Sequence, residues 1–278
     1  MRLADLLAED VGDGDITTEL LIGDERGEAV VTTGEDCVLA GLQEARELFH
    51  YLGLETRTDV GDGQRLVKGQ EVLVVSGPLR LILRGERVAL NFLMHMSGIA
   101  TTTRSLVDQC QRVNSSVRIA ATRKTTPGFR FYEKKAVRLG GGDPHRSRLD
   151  DGILIKDNHL AVVGSIAQAV GRAKSLSFSK KVEVEVETLG EAEEAANAGA
   201  DIIMLDNMSV SEAERSYQAI KAIDKRIVVE VSGGMTPQNV ASYARYADVI
   251  SMGYITHSAP AIQFSLHIVK VSRGPAPA

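Results

Sequence analysis

After residue 115 the chain repeats one pattern six times, a short apolar run followed by a helical segment. The runs are VRIAAT, GILIKD, VEVEVE, DIIMLD, IVVEVS and DVISMG, separated by stretches such as AVVGSIAQAVGRAK, LGEAEEAANAG, SVSEAERSYQAIKAI and TPQNVASYARY. Strands joined through helices of this length run parallel, with right-handed crossovers. An open doubly wound sheet and a closed barrel both satisfy the rhythm, and the polar residues favour the barrel. Arg123-Lys124, Lys156, Glu185 and Glu187, Asp206, Ser232-Gly233 and Gly253 stand at or near the carboxyl ends of the runs, which in a βα barrel converge on one mouth. Six runs are fewer than eight, so the barrel is either incomplete or holds a strand that the pattern does not reveal.

Alternation in VEVEVE puts Val182, Val184 and Val186 on one face and Glu183, Glu185 and Glu187 on the other. On an edge strand those glutamates would be solvated. In a barrel they face the interior, where each carboxylate needs a cation or a metal. Lys156, ending the preceding run, is the candidate partner.

Earlier in the chain, from about residue 24 to 80, short β-type runs are broken by glycine, which predicts a mostly antiparallel sheet crossed by a helix over 42–52. A long helical pattern follows, LRLILRGERVALNFLMHMSGIATTTRSLVDQC, which Ser97-Gly98 is expected to bend, marking a boundary. Arg84 and Arg87, at i and i+3 there, read as a solvated face. The acidic repeat from Asp10 to Asp15 lacks the ligand order of a calcium loop and reads as turn and cap.

A net charge of -5, 4 % aromatic residues and no Trp exclude a general nucleic-acid binder. Cys37 and Cys110 lie too far apart for a zinc cluster or a disulfide framework, so both are expected as small buried residues in a reducing compartment. The N-terminus turns acidic before any long apolar run, and no stretch approaches the roughly 20 apolar residues of a membrane span, so a cytoplasmic protein is expected. Against this acidic background, Arg123 to His159 is net positive by four and the remainder net negative by nine. A positive field confined to one stretch points to a small acidic ligand, and Arg123-Lys124, Gly140 to Gly142, His145-Arg146 and Lys156 to His159 suit carboxylates and phosphates.

Two glycine turns extend that reading. Ser232-Gly233-Gly234, followed by Thr236 as N-cap and Pro237 as first helical residue, could cradle a phosphate, as could Ser251-Met252-Gly253. Such paired turns are the usual phosphate site of a barrel, but the same glycines could simply permit tight turns. Asp206, beside Glu185, could hold Mg²⁺ or ribose hydroxyls, or Asp206-Asn207 could be a helix N-cap.

Taken in order, EDVGDGDITT (9–18), GERVALNFLMHMSGIAT (85–101), TRKTTPGFR (122–130), GGGDPHRSRLDDGILIKDNH (140–159), VEVEVET (182–188), DIIMLDN (201–207), EVSGG (230–234) and ISMGYITHSAP (250–260) resemble the quinolinate phosphoribosyltransferase family over nearly the whole chain. The resemblance implies an α/β fold with an N-terminal α/β sandwich domain over 1–98, onto which 264–278 packs back, and an incomplete parallel α/β barrel over 99–263. It further implies transfer of phosphoribosyl from phosphoribosyl pyrophosphate to quinolinate with loss of CO₂, Mg²⁺ but no organic cofactor, and at least a homodimer with sites shared between subunits. By the same resemblance Arg123, Arg146, His145 and Arg87 of a second subunit surround the carboxylates of quinolinate. Lys124 and Lys156 reach the pyrophosphate or ribose side, Glu185 and Asp206 hold the ribose hydroxyls and the metal, and Ser232, Gly233, Gly253 and His257 take the 5′-phosphate.

The chain departs from the family pattern at Pro144, where Asn is common, at Arg148, where Gly is common and which is read as pointing to solvent, and at Gln263, where Asp is usual. A molybdenum-transport-associated family shares the fold and a Pro-His-Arg segment but usually lacks the lysine of Lys156 to His159. Nicotinate phosphoribosyltransferase, whose substrate carries one carboxylate, is disfavoured by the number of arginines.

Overall fold

The computed structural model describes residues 3–176 and 179–272. The chain opens with α1 (Leu3–Val11), α2 (Ile16–Leu21), β1 (Arg26–Thr33), β2 (Cys37–Val38) and α3 (Leu42–Tyr51). It continues through β3 (Glu55–Arg57), β4 (Arg65–Leu66), β5 (Glu71–Pro78), α4 (Leu79–Gln111), β6 (Arg118–Ala120) and α5 (Arg130–Leu139). Next come β7 (Ile153–Ile155), α6 (Asp157–Val163), α7 (Ile166–Leu176), β8 (Val182–Val186), α8 (Leu189–Asn197) and β9 (Ile202–Asp206). Last are α9 (Val210–Ile223), β10 (Val228–Ser232), α10 (Val240–Tyr243), β11 (Val249–Ser251), α11 (Tyr254–His257) and β12 (Phe264–Ser272).

Two compact units result. The first gathers the residues up to Thr102, Pro127–Gly140 and those from Ala259 on; the second gathers Thr103–Thr126 and Gly141–Ser258. In the first, an antiparallel sheet has the order β12-β1-β5-β3, with β2 and β4 forming a separate pair. Alternate residues of β1 are buried, as one packed sheet face requires. Asp15 caps α2 by accepting from the Thr18 amide at 3.0 Å, as the cap reading of the acidic repeat expects. β12 pairs with β1 from Phe264 to Ser272; the end of the 264–278 segment, 273–278, lies outside the described residues.

Helix α4 runs unbroken for 33 residues, so the expected bend at Ser97-Gly98 does not occur. The pair is small for packing reasons. Ser97 is fully buried, its hydroxyl accepting from the Ala40 amide at 3.0 Å and donating to the Ala40 carbonyl at 3.1 Å. At Gly98 the Pro260 carbonyl comes so near that a Cβ would lie 2.2 Å from its oxygen.

The second unit is built on a six-stranded parallel sheet in the order β6-β11-β10-β9-β8-β7. This is the incomplete barrel that the six runs predict, its first two strands forming the sheet's two ends. Among the described residues, only the single bridge Ala120–Asp143 extends it beyond β6. Val184, Ile203, Val229 and Ile250 are fully buried on one side, and register sets Glu185, Met204 and Glu230 in one row, with Asp206 beside Ser232, on the other. Two helical readings are corrected. Gly164, left-handed at φ 101°, splits the expected single helix into α6 and α7. Asn239 precedes α10, so Thr236 and Pro237 are not its cap and first residue; the Asn239 side chain instead closes the turn by accepting from the Thr236 amide at 2.8 Å.

Candidate active site

The carboxyl ends of the parallel strands surround a cavity of about 370 Å³ in the second unit. Of the predicted site residues, Arg123, Lys124, His145, Arg146, Lys156, Glu185, Asp206 and Ser232 line it. Arg87 does not: it is exposed on α4 in the first unit. Arg148 and Gln263 are also outside the lining, Arg148 being 73 % exposed and pairing with Asp150 at 3.2 Å. The Gln263 amide donates to Glu35 at 3.0 Å.

One wall is cationic. Arg123 keeps a buried Nε with no hydrogen-bond partner, and Arg146 donates to the Gly152 carbonyl at 3.4 Å. Burial, reinforced by the neighbouring Arg123 guanidinium, lowers the Arg146 pKa. A guanidinium desolvated beside a second one is costly without an anion, so the wall is made to receive one.

The facing wall is acidic. Lys156 forms an ion pair with Glu185, the partner alternation predicts. Glu187 departs from that expectation: it lies beyond β8, exposed, and its amide donates to Glu191 at the start of α8. Burial and the Glu185 charge raise the Asp206 carboxyl above its ordinary range, opposed by Lys156, Lys124 and the Asn207 side chain, which donates to it at 2.7 Å. Asp206 is no helix cap, since Ser209 caps α9. Two carboxylates near enough to perturb one another, with only part of their charge balanced, fit a hydrated divalent cation that takes its remaining ligands from a phosphate substrate.

Gly233, Gly253 and His257 are not among the residues that line the cavity, but they adjoin residues that do. Gly233 sits at φ +84°, where a Cβ would lie 2.3 Å from Asn207 Oδ1. The Ser251 hydroxyl donates to Ser232 Oγ at 3.1 Å. Thr256 ties Lys124 to the last turn, its hydroxyl donating to the Lys124 carbonyl at 2.7 Å and the Gly253 carbonyl at 2.9 Å. A Cβ on Gly253 would stand 2.7 Å from His257 Nε2 and 3.0 Å from Lys124 Cδ, so glycine there lets three predicted residues meet.

Sequence reasoning missed a group beneath the mouth. His145 has a left-handed backbone (φ 52°), held by donation from its amide to Asp143 at 2.7 Å. Its Nε2 lies 3.3 Å from Glu230 Oε2 and 3.6 Å from Glu183 Oε2. Both carboxylates are almost wholly buried, and burial plus the Glu230 charge push the Glu183 carboxyl up to about 7. Glu183 was visible in the alternation, but Glu230, a single acid inside an apolar run, was legible only through strand register.

Comparisons with known proteins bear on the family and the fold. Residues 99–267 match the family described as quinolinate phosphoribosyl transferase, C-terminal domain, and residues 15–97 match its N-terminal domain. The chain is 46 % identical over 273 residues to the probable nicotinate-nucleotide pyrophosphorylase [carboxylating] of Methanothermobacter thermautotrophicus, covering 96 % of this chain and 97 % of the relative. It is 39 % identical to the human nicotinate-nucleotide pyrophosphorylase [carboxylating], covering 86 % and 82 %. The solved nicotinate-nucleotide pyrophosphorylase of Francisella tularensis superposes with a TM-score of 0.89 at 38 % identity, covering 97 % of this chain and 94 % of that one.

Proposed function

The chain belongs to the quinolinate phosphoribosyl transferase family, whose reaction it catalyses, and we propose here how its residues divide that reaction. As a carboxylating phosphoribosyltransferase it joins quinolinate to phosphoribosyl pyrophosphate, releases pyrophosphate and CO₂, and forms nicotinate mononucleotide for de novo NAD synthesis. Two free, buried cysteines support a reducing, cytoplasmic setting as part of this reading; among the described residues no helix is long and apolar enough to cross a membrane.

The observation that carries the residue assignment is the buried, unpartnered Arg123 Nε on the cationic wall. Arg123, Arg146 and His145 hold the two adjacent carboxylates of quinolinate, fixing the ring nitrogen towards the ribose. Ser232, Gly233, Gly253 and His257 receive the 5′-phosphate, and Lys124 and Lys156 the pyrophosphate side. Glu185 and Asp206 would hold Mg²⁺, which would supply charge neutralisation for the departing pyrophosphate. As pyrophosphate leaves, the same carboxylates stabilise positive charge on the ribose. The pyridine nitrogen bonds to the anomeric carbon as the C–O bond to pyrophosphate breaks; the cationic ring then stabilises the electron pair left on its carbon when CO₂ departs, and a proton from water at that carbon completes nicotinate mononucleotide.

Exposed Arg87 is assigned to the quinolinate carboxylates of a second subunit in a homodimer. Inactive Arg87→Ala and Lys156→Ala chains are expected to regain partial activity when mixed into heterodimers; no recovery despite proven subunit exchange would remove Arg87 from the site. The assignment as a whole is tested by incubating the protein with quinolinate, phosphoribosyl pyrophosphate and Mg²⁺ and measuring CO₂ and nicotinate mononucleotide together. Equal amounts of both are expected. Neither product from a folded protein, or equally efficient use of nicotinate, would overturn it.

A further inference from the structure

A second cavity, of about 260 Å³, opens at the amino ends of the strands, bordered by Arg118, Lys181 and Glu183. His145, Arg146 and Glu230 line both this cavity and the mouth, so the two meet at the His145 ring. Around that ring the interior is unusual in one respect. Glu183 and Glu230 each direct Oε2 at the same Nε2, while each Oε1 is buried with no hydrogen-bond partner.

Two buried carboxylates 5 % and 1 % exposed cost stability that apolar residues of similar size would not. An imidazole nitrogen facing two carboxylate oxygens is best satisfied as an N–H donor, because a lone pair there would be repelled by whichever of them is ionised. The pair therefore fixes which ring nitrogen is the inward donor and where the ring stands, on a residue whose backbone is already held in a rare conformation. Neither glutamate has to touch the substrate to exert this effect.

We infer that Glu183 and Glu230 are positioning residues that hold His145 against one of the two substrate carboxylates, and so set the preference for a dicarboxylate over a monocarboxylate. This rests on the reading of the mouth as the quinolinate site. It separates two demands on the site: the arginines supply attraction for any carboxylate, whereas a ring held in one place rewards only a ligand with a second carboxylate in reach.

The test uses the full-length protein with Glu230→Gln and Glu183→Gln, alone and in a His145→Gln background. Binding of quinolinate and of nicotinate is measured, together with KM for phosphoribosyl pyrophosphate. Glu230→Gln, which replaces the nearer carboxylate, is expected to weaken quinolinate binding about tenfold, the scale of a charge-assisted hydrogen bond, and Glu183→Gln, whose oxygen stands farther off, by about threefold. Nicotinate binding and the KM for phosphoribosyl pyrophosphate should stay within about twofold, which a general loss of structure would not permit. In the His145→Gln background the glutamine substitutions should have no further effect on quinolinate. Wild-type protein that neither binds nor converts quinolinate would overturn the reading of the mouth and this inference together. Normal wild-type turnover would overturn the inference alone if the variants weaken both acids equally, or if their effects persist without His145.

Discussion

Glu183→Gln should make the protein more stable at pH 8 while making it a poorer enzyme. Burial and the neighbouring Glu230 charge lift the Glu183 carboxyl from 4.5 to about 7 in the folded state. The folded chain thus holds this proton more tightly than the unfolded chain does. The associated stability is complete below pH 4.5 and is lost as the pH rises through about 7. At roughly 1.4 kcal/mol per pH unit the loss amounts to about 3 kcal/mol by pH 8. Glutamine keeps the shape and cannot ionise, so the variant escapes the loss. Nor does it strand His145, whose Nε2 retains Glu230 at 3.3 Å. Urea unfolding of both proteins from pH 5 to pH 8 should show the variant ahead by about 3 kcal/mol at the alkaline end, with the gap closing steadily towards the acid end. Parallel curves, or a variant less stable at pH 8, would mean that the ionised carboxylate is a net stabiliser and would refute the reasoning.

Three further outcomes follow from the geometry. Gly98→Ala drives a methyl group against the Pro260 carbonyl, 2.2 Å from the new carbon, and should cost about 3 kcal/mol in unfolding experiments. Gly253→Ala pushes His257 and Lys124 apart and should raise KM for phosphoribosyl pyrophosphate about tenfold, with quinolinate binding little changed. Lys156→Met leaves Glu185 without its cation and should lower kcat by about a hundredfold or more, read as CO₂ release at saturating substrates.

Much of this was legible in the sequence because strand periodicity and strand ends carry both fold and site. The alternation in β8 predicted the Lys156–Glu185 pair, and the clustering of charge between Arg123 and His159 located the cationic wall. What failed depended on distant neighbours. Ser97 and Gly98 look like helix breakers until Ala40 and Pro260 are seen beside them. Thr236 and Pro237 have the chemistry of a helix start, but the Asn239 side chain claims the turn first. Glu230 acquires meaning only when parallel register sets it in the row of Glu185 and a left-handed backbone brings His145 to it.

The first compact unit is assembled from three separated lengths of chain, the last of which carries β12 along β1. During synthesis β1 therefore emerges long before its partner strand, and waits with one edge unpaired until the residues from Phe264 to Ser272 have also been made. A sheet that is begun early is in this sense closed late. Removing only the closing strand would be felt far earlier in the chain, at β1, in a sheet whose other members are all present.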